Sequence, residues 1–225
     1  MLAAGVFIVK IALIGGSREA DLLEKALLEA GIGLDPAGKI AVVAPHPFDT
    51  DLWECAAISL HGKPHIGLAR SGWLPEPEDR WTMASSAEEA AEILAASGAK
   101  RALLAVGNGR LAPFYRLRGI ELCIRSRNAP HPPNPPQGLI RTMRGPFDVA
   151  GEVAELSGQG IDALVVHNAG GRGGWPKLGA ARALGIPVIL IQRPKLPEMV
   201  MVETVEAALA WAKRHMGVDG GARRA

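Results

Sequence analysis

The sequence predicts an α/β protein whose strands form parallel sheets, arranged in two successive units. Three observations predict it. Short apolar runs of strand length alternate with helical patterns along the whole chain, and such alternation builds parallel sheets with helices on both faces. Three of the apolar runs, IALIGGS, ALLAVGNG and ALVVHNAGG, end in Gly-bearing loops. A Pro-rich polar stretch, SGWLPEPED, divides the pattern in two.

Residues 7–14 form the first strand. Leu22, Leu23, Ala26, Leu27 and Ala30 share one stripe of a helix over residues 19–30, and Gly31 ends it at the C′ position. Residues 40–44 make a second strand, 51–60 a helix and 65–68 an extended segment; 70–79 read as a linker. Beyond it, Ser85 or Ser86 caps a helix that puts Glu88 and Glu89 in its first turn, where the helix dipole favours acids. Residues 101–106, 121–124 and 139–142 are strands. The segment NAPHPPNPPQG before the last of these excludes both helix and central strand. A helix over 148–157, a strand over 161–166, a helix over 177–184 and a strand over 187–191 follow. An amphipathic helix over 203–215 closes the pattern.

Hydrophobic residues make up 48% of the 225, enough to build a core and exclude global disorder. The formal charge of +2 excludes a broadly basic nucleic-acid binder. Two cysteines, Cys55 and Cys123, far apart and outside any CxxC, argue against a disulfide scaffold or a zinc site and read as core thiols. No metal site is expected. No apolar run reaches membrane-spanning length. The opening MLAAGVFIVKIALIGG lacks a basic leader and is interrupted by Lys10, so it reads as strand and turn, in a cytoplasmic protein.

Ligands of open parallel sheets bind at the carboxyl ends of strands, so the loops there carry the candidate residues. In IALIGGSREA, Gly15, Gly16 and Ser17 bring backbone N–H groups and a helix N-terminus to a phosphate; the same residues serve equally as an unliganded βα turn. The second long strand ends without an acid to read a ribose. In APHPFD, His46 stands between prolines at a strand end, as a substrate hydrogen bond or proton donor, or as a loop histidine satisfied by its surroundings. In VVHNAGGRGGWPKL, Asn168, Gly170 and Gly171 lead to a helix with Pro176 as its first residue and Lys177 in its first turn. The helix dipole disfavours a cation there, and an anionic ligand would offset that. Arg144 in TMRGPFD and Arg193 in IQRPKLP can face a carboxylate, a phosphate or solvent.

Taken in order, IALIGGSREA, HPF, the GW…DRWT stretch, RGPFD, IDALVVHNAGG and KLGAARALGIPVILIQRP resemble the precorrin-6A reductases of corrin ring biosynthesis over most of the chain. The resemblance implies two Rossmann-like domains with a ligand cleft between them. It implies hydride transfer from NADPH, or NADH, to a ring double bond of precorrin-6A or its cobalt form, in cobalamin biosynthesis. Residues 1–80 would be a shortened dinucleotide-binding domain, 81–215 the second domain and 216–225 a mobile tail. Gly15, Gly16 and Ser17 would hold the cofactor. His46 and Lys177 would be catalytic, and Arg144, Asn168, Gly170, Gly171 and Arg193 would contact the polycarboxylate tetrapyrrole. The chain departs from the family in three ways. GIGLDPAGK bridges a gap where a strand–helix portion of the first domain is missing, Val43 stands where the family has Asp, and Ala105-Val106-Gly107-Asn108 replaces a TTGR-type turn. They motivate an alternative: a tetrapyrrole-binding relative that has lost hydride transfer.

Overall fold

The computed structural model describes residues 10–107, 110–126, 138–143 and 145–216. In chain order the elements are β1 (Lys10–Ile14), α1 (Arg18–Glu29), β2 (Gly33–Leu34), β3 (Ala41–Val43), α2 (Thr50–Ser59), β4 (His65–Leu68), β5 (Trp81–Ala84), α3 (Ala87–Ala96) and β6 (Arg101–Ala105). After a 3-10 turn over Ala112–Arg116 come β7 (Glu121–Ser126), β8 (Gly138–Thr142), α4 (Val149–Gly158), β9 (Ala163–His167), α5 (Trp175–Leu184), β10 (Val188–Ile191), β11 (Met201–Val202) and α6 (Val205–His215). Two compact units result. One runs to Ser71 and resumes at Pro194; the other spans Gly72–Arg193.

The first unit is a parallel sheet in the order β11-β4-β3-β1-β2. The period-two alternation of its strands sorts residues to opposite faces. Ile11, Val42 and Ile66 pack with Leu23 and Leu27 of α1 and with Ala208, Trp211 and Ala212 of α6. Ala12, Ala41 and Val43 pack with Trp53 and Ala56 of α2. The C-terminal helix therefore belongs here and not to the second domain over 81–215. Its apolar stripe fills the same core as that of α1, and β11 pairs with β4 through Met201↔Gly67. The other expected boundary, near residue 80, moves to 71/72.

The passage from β2 to β3 in the first unit is brief. β2 has only two residues, and Asp35–Ile40 passes from it to β3 without a helix. That passage lies against β1: the Asp35 N–H donates to the Ile11 carbonyl and the Ala12 N–H to the Ile40 carbonyl. A Cβ on Gly38 would stand 2.6 Å from the Ala12 nitrogen, so only glycine fits the crossing. Asp35 is the one acid directly after β2, but its carboxylate pairs with Lys10 at the start of β1, not at the carboxyl edge.

The second unit is a parallel sheet in the order β5-β10-β9-β6-β7-β8. Leu156 of α4 and Leu178, Ala180 and Ala181 of α5 cover Leu103, Leu164, Val166 and Leu190. The expected linker is partly structure of this unit. Arg182 on α5 grips both Asp79 carboxylate oxygens at 3.0 Å and Glu76 at 2.6 Å, and β5 forms the sheet edge against β10. Cys123 is a core thiol, but Cys55 is exposed on α2, one residue from the buried Ala56. Among the described residues no helix is long and apolar enough to cross a membrane. Most of the Pro-rich loop and the tail beyond Met216 lie outside the described residues.

Candidate active site

At the carboxyl edge of the first sheet, β1 ends in the Gly15-Gly16-Ser17 turn. Gly16 has φ +129°, which L side chains rarely adopt, and space for a Cβ remains above it, with the nearest atoms at 3.9 Å and 4.0 Å. Ser17 is the N-cap of α1. Its buried hydroxyl accepts from the Ala20 N–H at 3.2 Å and donates to the Ala44 carbonyl at 2.7 Å. That hydroxyl is therefore committed to the fold, and it ties the turn to the end of β3. What the turn offers an anionic group is backbone, over a twelve-residue helix. The first-turn acid Glu19 is neutralised by an ion pair with Arg70.

Two residues beyond Ala44, the His46 ring accepts the Phe48 N–H at Nδ1, 3.3 Å away, so the neutral ring carries its proton on Nε2. The His46 carbonyl accepts from Trp53 Nε1 at 3.2 Å. The rigid loop expected between prolines is thus anchored on a fully buried tryptophan.

At the carboxyl edge of the second sheet, the loop after β9 is held from two sides. The Asn168 amide accepts the Trp73 N–H at 2.7 Å and donates to the Trp73 carbonyl at 3.1 Å. Trp73 Nε1 donates to the Gly171 carbonyl at 3.0 Å. Arg193 donates from Nε to the Asn168 carbonyl at 2.8 Å and from Nη2 to the Ala169 carbonyl at 2.9 Å. Gly170 and Gly171 take φ of 70° and 74°, the left-handed turns that this path needs. Asn168 and Arg193, read from sequence as substrate contacts, use these groups to shape the loop. Arg144 lies outside the described residues.

Lys177 is the third residue of α5, which begins at Trp175, so Pro176 is the second helical residue and not the first. Alone among the described α-helices, α5 has no side-chain N-cap; its cap position is Gly174. Lys177 Nζ donates to the Gly174 carbonyl at 3.0 Å. A Cβ on Gly174 would stand 2.6 Å from the Trp73 ring and 3.4 Å from Nζ, so Trp73 and the ammonium flank this glycine. Burial pushes the Lys177 amine down to about 8; Glu152 acts to raise it and Arg125 to lower it.

Those two charged residues were not singled out from sequence. Arg125, near the end of β7, and Glu152, in the first turn of α4, form an ion pair at 2.5 Å with both side chains buried. Phe147 of the RGPF turn lies over the guanidinium, 5.5 Å from ring centroid to Cζ. The contact has one prong: Arg125 Nη2 and Glu152 Oε2 find no hydrogen-bond partner among the described residues. A signal for both was present. Arg125 interrupts the apolar strand LCIRS, and Glu152 falls one turn before the fully buried Leu156, on the face of α4 that meets the core.

The fold and these edges define an α/β protein of two parallel-sheet units, one with a glycine turn at a helix N-terminus, the other with a half-buried lysine in the first turn of α5. The precorrin-6x reductase CbiJ/CobK family matches residues 38–213, and the chain belongs to it. It is 39% identical over 173 residues to a precorrin-6A reductase of Rhodococcus erythropolis, covering 76% of this chain and 69% of that one. With the precorrin-6A reductase of Rhodobacter capsulatus it shares 34% identity over 181 residues, 79% and 72% of the two chains. A solved structure of CobK precorrin-6A reductase is similar with a TM-score of 0.81 and 27% identity, covering 92% of this chain and 97% of that chain.

Proposed function

We propose that this chain reduces precorrin-6A, or its cobalt form, at a ring double bond in cobalamin biosynthesis, in the cytoplasm, using NADPH, with NADH the second choice. Family membership supports the reaction. The observation that carries the assignment of roles is the placing of Lys177 in the uncapped first turn of α5, its Nζ on the Gly174 carbonyl beside the Trp73 ring; burial pushes its amine down to about 8. Reduction of the double bond adds a hydride to one carbon and a proton to its neighbour. The nicotinamide, when bound, supplies the hydride. Lys177 gives the proton from Nζ, since an acid with a value near the working pH is protonated and yet transfers readily; it regains the proton from solvent. The Gly15–Gly16 backbone fits a cofactor phosphate, while Ser17 acts through the cap it makes. His46, held on its loop by the Phe48 N–H, orients substrate or serves as a second proton source. Gly170 and Gly171 shape the substrate loop, Asn168 and Arg193 support it, and Arg144 meets a substrate carboxylate.

The test is a single-turnover reaction under anaerobic conditions with NADPH and precorrin-6A, following nicotinamide absorbance and the tetrapyrrole spectrum together. Equal loss of both is expected. Tetrapyrrole binding without nicotinamide oxidation would overturn the reading in favour of the binding protein. A basic limb in the pH–rate profile near pH 8, absent in Lys177→Met at its residual rate, is the signature of the proton donor.

A further inference from the structure

We infer that Trp73 is a positioning residue for Lys177: it fixes the loop from Asn168 to Gly174, and with it the carbonyl that holds the Lys177 ammonium in the first turn of α5. This role rests on the proposed chemistry of Lys177 and goes beyond it by naming what places the amine. The loop NAGGRGG contains four glycines and one alanine among its seven residues. Such a segment has few side chains with which to hold its own path, and glycine loses more freedom on ordering than any other residue. Its order is therefore supplied from outside. The helix that follows supplies no cap, since Gly174 stands at the cap position.

The half-buried Trp73 touches the loop at its start, middle and end. Its backbone N–H and carbonyl pair with the Asn168 side-chain amide at 2.7 Å and 3.1 Å. Its indole Nε1–H donates to the Gly171 carbonyl at 3.0 Å. Its ring lies against Gly174: a Cβ there would stand 2.6 Å and 2.8 Å from two carbons of the ring and 3.4 Å from Lys177 Nζ. Ring and ammonium thus flank one side of Gly174, whose carbonyl accepts from Nζ at 3.0 Å. Gly72 makes room for this arrangement, because a Cβ on it would stand 3.1 Å from both polar atoms of the Asn168 amide. The helix itself has other anchors. Trp175 packs edge-on against Trp81, with ring centroids 6.5 Å apart, and lies under the Arg182 guanidinium at 5.4 Å. Asp79 and Glu76 hold that guanidinium in turn. The Trp73 side chain therefore sets the loop and the amine, not the place of α5.

The test removes the Trp73 side chain while its backbone bonds to Asn168 remain. In Trp73→Leu the indole N–H and the ring beside Gly174 are lost, water reaches the amine, and the charged form gains. Competitive acylation of Lys177 with acetic anhydride across pH is read by mass spectrometry on the full-length protein, without turnover. Its midpoint should rise by about one pH unit, toward that of an ordinary lysine. Trp73→Phe, which keeps a smaller ring, should fall between. Glu152 of α4, Arg125 of β7, His167 of β9 and Arg172 of the loop itself are unaltered in both variants, so none of them supplies the shift. In anaerobic turnover with NADPH and precorrin-6A, kcat of Trp73→Leu should fall about tenfold to a hundredfold, the scale for a misplaced reacting group, with the larger share of the loss in kcat and not in KM. A raised midpoint with a lowered kcat supports the inference. An unmoved or lowered midpoint overturns it whatever the rate, and a defect in KM alone then makes Trp73 a substrate contact. A raised midpoint with wild-type kcat leaves Trp73 placing the amine and removes Lys177 as proton donor. If Trp73→Leu does not fold, Trp73→Phe decides alone: a raised midpoint supports the inference, and an unmoved or lowered one overturns it.

Discussion

Replacing Lys177 by Met should make the protein more stable at neutral pH while removing its proposed chemistry. Burial holds the amine at about 8 instead of 10.5. At about 1.36 kcal/mol for each pH unit, keeping it charged below pH 8 costs about 3 kcal/mol relative to the unfolded chain. Methionine retains the stem and loses the bond to the Gly174 carbonyl, about 1 kcal/mol. The net gain is about 2 kcal/mol, or about 4–8 °C in Tm for a chain of this size. The sign with pH follows from the depressed value. The folded protein gives up this proton before the unfolded chain does, so wild type gains stability as pH rises from about 8 to about 10.5 and the variant does not. The advantage of Lys177→Met is therefore full below about pH 8. It should vanish or reverse near pH 10.5, where the neutral amine still bonds Gly174. Thermal melts followed by circular dichroism at about pH 6.5 and about pH 10.5 read the difference directly. A variant no more stable than wild type at the lower pH, or displaced equally at both, would refute the burial of a poised amine.

Other substitutions separate scaffold from ligand contact. Asn168→Ala leaves the Trp73 N–H and carbonyl without their partners and should destabilise by about 1–3 kcal/mol; an unchanged Tm with weakened tetrapyrrole affinity would return Asn168 to substrate binding. Gly16→Ala and Gly16→Asp share the strain of φ +129°. The aspartate should lower NADPH affinity by about 1–3 kcal/mol more than the alanine does, and equal affinities in the two variants exclude a phosphate over this turn. Gly38→Ala drives a Cβ into the backbone of β1 and should cost about 3 kcal/mol or more; an unshifted urea midpoint would mean that the loop can move away from the strand.

What could be read from sequence was whatever local chemistry decides. Apolar runs and stripes located the main strands and the α-helices to within a few residues, and Ser86 caps α3 as its side chain suggests. β2 and β11 have two residues each, too few to show a period, and each is a strand only because a partner in a distant stretch, β1 or β4, offers its edge. α6 presents an apolar stripe that would suit either sheet; Trp211 beside Leu23 and Leu27 is a fact of three dimensions. At the site, residue type marked the polar groups but not their partners in the fold. Asn168, Arg193 and Ser17 have the chemistry of ligand contacts, but each bonds backbone that is remote in the chain or buried in a turn. A polar residue at a strand's carboxyl end must satisfy the irregular backbone there before it can serve a ligand, and a Gly-rich loop leaves many carbonyls to satisfy. The charges with no such duty are the informative ones. Glu152 stands on a core-facing stripe, where a carboxylate is unfavourable unless paired, and its pairing is incomplete. Arg125 meets that carboxylate at 2.5 Å inside the core, and because burying two charges costs about what their attraction returns, the pair adds little cohesion to the fold while the loss of either partner would leave the other charge stranded.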